Sequence, residues 1–93
     1  MIVGRLRVEL TLPGNRCLKG KRRVIKSLME RVRREFNVAI AEVARQDSHQ
    51  QAVLGIAAVA NERAHVDAVL SAVVRRLAVD EEAVLGDYDV EMG

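Results

Sequence analysis

Residues 16–23, RCLKGKRR, crowd Arg16, Lys19, Lys21, Arg22 and Arg23 around one cysteine and one glycine. Cations at this density attract anions, and a row of phosphates is the anion that suits a row of cations. Cys17 lies inside the cluster, next to the expected start of a helix, a setting in which a thiol can become nucleophilic. No acid–base partner accompanies it, so its expected role is packing or capping. His49 and His65, with Asp47 and Asp67 nearby, lack metal-site spacing and read as a loop residue and a helix-surface residue. Gly14 and Gly20 do not make a dinucleotide or phosphate-loop fingerprint. No metal and no cofactor is expected.

The elements that position the cluster follow from periodicity. IVGRLRVELTL, residues 2–12, alternates: Ile2, Leu6, Val8, Leu10 and Leu12 face one way, Arg5, Arg7, Glu9 and Thr11 the other, which predicts a half-buried strand. Pro13, Gly14 and Asn15 break it. From about Lys19, Val24, Ile25, Leu28, Met29 and Val32 recur at helical spacing, predicting a helix that ends near Glu35. FNVAIAEVA (36–44) and AVLGIAAVA (52–60) read as strands joined by the polar RQDSHQQ. Asn61 is the expected cap of a second helix, whose stripe of Val66, Val69, Leu70, Val73 and Leu77 runs to about Val79. VLGDYDVEM closes the series as a strand after an acidic turn. The order βαββαβ predicts an α+β, ferredoxin-like sandwich, with two helices on one face of a four-stranded antiparallel sheet.

The chain has 93 residues, 49% of them hydrophobic and 30% charged, which predicts one domain over residues 1–93. A single cysteine cannot form an internal disulfide, and no run approaches the roughly 18 apolar residues of a membrane span. These features predict a cytoplasmic protein with no membrane partner.

Charge is unevenly distributed along the chain. Residues 1–34 hold eleven Lys and Arg against Glu9 and Glu30, a net of +9, while the remainder is net −7 and the total only +2. Lys19, Arg22, Arg23, Lys26 and Arg33 fall opposite the apolar stripe of the first helix and predict a basic ridge. Arg16, Lys19 and Lys21 surround its N-terminal turn, where free N–H groups favour a phosphate. Cations there oppose the helix dipole, so local stability does not explain them. The ridge is the expected site for RNA or a ribosomal particle, with an acidic protein as the other partner class and a merely solvated surface as the plain reading.

Ferredoxin-like RNA-binding domains stack bases on aromatic residues of the open sheet face. The central-strand positions here are Val3, Arg5, Arg7, Val53, Gly55 and Ala57, with no aromatic among them. Arg5 and Arg7 are expected to face the acids of the last strand, whose outward residues should be Leu85, Asp87, Asp89 and Glu91. Ala39, Ala41 and Val43 beside Val53, Ala57 and Val59 predict a flat apolar patch, and hence a homodimer or docked partner.

MIVGRLRVEL, RCLKGKRRVIKSL, FNVAIAEV, QDSHQQAVLGIAAVAN and AHVDAVL together resemble the YlxP-like family of small bacterial proteins, a family of unknown function. The resemblance spans nearly the whole chain. It implies the ferredoxin-like fold and, because genes of the family are often found near translation and ribosome-maturation genes, a role close to RNA or the ribosome. It implies no catalytic residue. The chain departs from the family pattern at Cys17, where serine is usual, at Gly20, where an acid is usual, and at His49, where tryptophan is common. Acylphosphatases share the fold and bind phosphate in the loop after the first strand. Residues 13–16 occupy that place, with Arg16 as the phosphate ligand and Asn37 as a loose stand-in for a water-orienting asparagine, but the glycine-glutamine motif of that loop is absent. The leading expectation is a non-enzymatic binding protein.

Overall fold

The computed structural model describes residues 1–93. The elements follow in the order β1 (Ile2–Thr11), α1 (Leu18–Glu35), β2 (Ala39–Ala44), β3 (Gln51–Ala60), α2 (Arg63–Ala78) and β4 (Val84–Met92). The strands form one antiparallel sheet in the order β2-β3-β1-β4. Alternation sends Leu6, Val8 and Leu10 of β1, Ile40 of β2, and Leu54 and Ile56 of β3 toward the helices. There they meet Val24, Ile25, Leu28 and Val32 of α1 and Val66, Leu70, Val73 and Leu77 of α2. This is the ferredoxin-like α+β layout. Each fully buried aliphatic side chain contributes roughly 1.5–3 kcal/mol, so this one layer between sheet and helices carries the fold.

Gly4 sits on the core side of β1 where α2 approaches most closely. A Cβ there would collide with Val66 Cγ1 and lie 2.8 Å from Leu70 Cδ1. The absent side chain is what lets α2 lie flat on the sheet.

Three expectations differ from the structure. The cap of α2 is Glu62, which makes no side-chain capping bond; Asn61 stands one residue too early. Leu85 does not face outward. The β1–β4 register shifts between Val8 and Leu10, so that Leu85 pairs with Leu10 and packs on the core, while Val84 pairs with Thr11 and is exposed. A bulge of this kind reverses side-chain alternation beyond it. Val53 lies on the open face yet is only 3% exposed; it lines a small hollow at the end of the sheet together with Glu9, Thr11 and Arg45.

Candidate anion-binding face

The basic cluster is built on two connections that meet at one end of the sheet. In the β1–α1 loop, Asn15 Nδ2 donates to the carbonyls of Cys17 (2.7 Å) and His49 (2.6 Å). Gln50 Nε2 returns a bond to the Asn15 carbonyl at 3.3 Å. The loop is thereby fastened to the β2–β3 hairpin. Cys17 is the N-cap of α1, its Sγ accepting from the Gly20 N–H at 3.4 Å, which satisfies one of the orphan donors of the first turn. A Cβ at Gly20 would run into Asn15 Oδ1, so a larger residue here requires the Asn15 side chain to move.

Lys21 requires a correction. Expected among the phosphate contacts, it has no exposed side-chain surface. Its Nζ donates to the carbonyls of Arg45 (2.7 Å) and Gln51 (2.9 Å) and stands 2.9 Å from Glu42 Oε2. With its protons so committed, it cannot serve an external anion. The signal was present in the spacing: Lys21 lies three residues before Val24 and four before Ile25, on the buried stripe. Glu42 likewise keeps the inward phase of Ile40 and pairs with Leu54.

The other predicted cations, Arg16, Lys19, Arg22, Arg23, Lys26 and Arg33, are all exposed. The chain's ion pairs involve Arg5, Arg7, Lys21, Arg31 and Arg76 as cations, and none of these six. Arg22 to Arg33 spans about 16 Å at the helical rise of roughly 1.5 Å per residue. Arg33 is partly engaged, donating to the Ile40 carbonyl at 2.9 Å. Arg23 shares a groove with Glu81 and Glu82 of the turn before β4. The structure adds Arg45, which sequence reasoning missed. It is exposed at the start of the hairpin, in a left-handed backbone conformation with φ 63°, and its carbonyl is the acceptor for Lys21.

On the opposite side of the sheet, Ala39, Ala41, Val43 and Val59 are exposed and Ala57 is half-buried. All of these but Val59 line a shallow trough of about 440 Å³ that also meets Arg5, Arg7, Asp89 and Glu91, while Val59 lines a separate cleft with Val3 and Asn37. Arg5 pairs with Glu91 at 3.5 Å, whereas Arg7, opposite Asp89 in register, reaches Glu9 of its own strand at 3.7 Å. Tyr88 pairs with Val8 and therefore belongs to the helix side of the sheet. No aromatic residue lies on the open face.

Arg16 and Asn37 are not brought together. Asn37 lines a cleft with Val3 and Val59, while the Arg16 loop is tied to His49. Val3 and Leu12 mark those two ends and lie about 30 Å apart along an extended strand. The two-residue phosphate-hydrolysing site expected by analogy with acylphosphatases is not assembled. His49 lies in the hairpin loop and His65 on the exposed face of α2.

Comparison with known proteins agrees with this architecture. The family model described as "Protein of unknown function (DUF503)" matches residues 3–90. Over 57 residues the chain is 42% identical to "Uncharacterized protein YlxP" of Bacillus subtilis (strain 168). That match covers 61% of this chain and 62% of the relative's length. Among solved structures, the de novo designed protein Foldit4 superposes with a TM-score of 0.52 at 18% identity, over 99% of this chain and 94% of that one. That likeness concerns the fold alone. The chain belongs to the DUF503 family.

Proposed function

We propose that this DUF503 member is a non-enzymatic binding protein that holds the phosphate backbone of RNA, free or in a ribosomal particle. The contacts assigned are Arg16, Lys19, Arg22, Arg23, Lys26 and Arg33. One observation carries the reading: these six exposed cations are without ion pairs in a chain that has thirteen Asp and Glu. Ungrouped carboxylates were available to neutralise them, and the fold leaves them facing solvent. Arg16 and Lys19, just before and within the first turn of α1, also work against the helix dipole. With no aromatic beside them, the reading is of backbone contact, which fixes position without reading sequence.

The test is binding of fluorescent structured and single-stranded RNA at several salt concentrations. Wild type is compared with Arg22→Glu/Arg23→Glu/Lys26→Glu after circular dichroism has shown both to be folded. Binding that weakens steeply with salt, yields to unrelated nucleic acid and disappears in the triple variant is the expected result. A wild-type protein that binds no RNA at low salt overturns the proposal and leaves the ridge to an acidic protein partner.

A further inference from the structure

β4 is an edge strand, paired with β1 along one side and with no strand along the other. Seven of its nine residues are exposed, because α2 packs mainly on β1 and β3 and leaves much of the last strand bare. We infer that the free edge of β4 docks an extended segment of another protein, in which basic residues alternate with apolar ones, as a fifth strand of the sheet. The inference is independent of RNA binding, because α1 packs beside β2 at the opposite edge.

The backbone and both faces of β4 specify the occupant. Its free edge presents unpaired N–H and C=O groups over about 30 Å, the length of a nine-residue strand. The other edge offers less, since β2 has six residues, an irregular register after Glu42 and an Ile40 carbonyl already bonded to Arg33. On the helix side of β4, Tyr88 and Val90 stand opposite Val8 and Leu6, yet they remain 52% and 42% exposed. Apolar side chains from a strand on the free side would cover them. On the open side, alternation places Asp87, Asp89 and Glu91 in a column of carboxylates. Arg5 reaches Glu91, but Arg7 turns to Glu9 of its own strand, and Asp87 and Asp89 join no ion pair. Basic side chains would meet them.

The acidic column also excludes a second copy of the chain. Antiparallel pairing of β4 with itself about Tyr88 sets Asp87 opposite Asp89, and a shift of one pair sets Asp89 opposite itself; like charges so placed destabilise a sheet. The usual barriers to any strand, a proline, a lysine or a charge on the covered face, are missing from VLGDYDVEM. The bulge beside Leu85 leaves Tyr88–Met92 in regular register. β1 supplies the template for the occupant: Arg5, Leu6, Arg7 and Val8 lie against Glu91, Val90, Asp89 and Tyr88. A segment with that alternation repeats on the free side what the fold already does on the other, by main-chain bonding with side-chain selection.

The probe is a fluorescent peptide of alternating arginine and valine, titrated into the full chain by anisotropy and mapped by amide nuclear magnetic resonance. It should bind and shift the resonances of Val84–Met92. Two control peptides, one with glutamate in place of arginine and one with every amide N-methylated, should bind at least tenfold more weakly. Asp87→Asn/Asp89→Asn should weaken binding at least fivefold, while Glu30→Gln/Asp67→Asn, which removes the same charge from the helices, leaves it unchanged. Circular dichroism confirms that the variants are folded, and the control peptides test the wild-type chain without any variant. No binding, or shifts that lie outside β4, overturns the inference. Equal binding of the N-methylated peptide overturns it as well, by showing attraction of charge without strand pairing, and equal loss in the two double variants removes the β4 carboxylates as the selecting groups.

Discussion

Lys21 Nζ and Glu42 Oε2 lie 2.9 Å apart between the first turn of α1 and β2, and the lysine side chain is wholly buried. The contact is an ion pair, and that carboxylate oxygen has no hydrogen-bond donor. Together with the carbonyls of Arg45 and Gln51, the pair fixes the hairpin against the helix start.

Removing the cation strands a buried carboxylate and two carbonyls. Lys21→Met should lower unfolding free energy by roughly 3 kcal/mol, read as a fall in the urea midpoint. Lys21→Met/Glu42→Leu should recover part of that loss, since the uncompensated charge goes with the second substitution. A double variant no more stable than the single one would show that the carbonyl bonds, not the carboxylate, dominate.

The contact between β1 and α2 leaves no room for a methyl group. Gly4→Ala should destabilise by about 1–3 kcal/mol through overpacking, because its Cβ meets Val66 Cγ1, Leu70 Cδ1 and Met92 Sδ. Thermal melts of Gly4→Ala, Val66→Ala and the double variant provide the check. The double variant should cost less than the sum of the singles.

Capping by sulfur is replaceable by oxygen. Cys17→Ser should match or exceed wild-type stability, since a serine hydroxyl is a favoured N-cap acceptor, whereas Cys17→Ala should lose about 1 kcal/mol. Equal stability of all three proteins in denaturant would rule out the Sγ contact with the Gly20 N–H as a contributor.

If the ridge holds phosphates, each of its cations contributes separately to counterion release. Lys26→Ala should weaken RNA binding regardless of sequence and reduce the steepness of log K against log salt by about one. The measurement is a salt titration of wild type and variant on two unrelated RNAs. An unchanged slope would remove Lys26 from the contact.

Much of this protein was legible without coordinates. The alternation of β1 and the 3.6-residue stripes of α1 and α2 determined the element order, because burial of apolar side chains acts through the same local periods that the sequence displays. The βαββαβ order then limited the fold, and the exposed cations of α1 followed from their phase on the helix. Lys21 and Glu42 were legible in part: each keeps the buried phase of its own element, but that the two meet depends on α1 packing beside β2.

Tertiary structure alone decided the rest. The bulge opposite Glu9 reversed the facing of Leu85, and alternation cannot show where a register slips. Val53, in a small hollow with Glu9, Thr11 and Arg45, is buried rather than part of the open face, while the separation of Arg16 from Asn37 dissolved a site expected by analogy. These outcomes depend on contacts between residues distant in sequence, whose energies have no local period to reveal them. The sequence by itself determined which elements form and which faces they bury; only their packing decided which charges are consumed inside the fold and which are left for a partner.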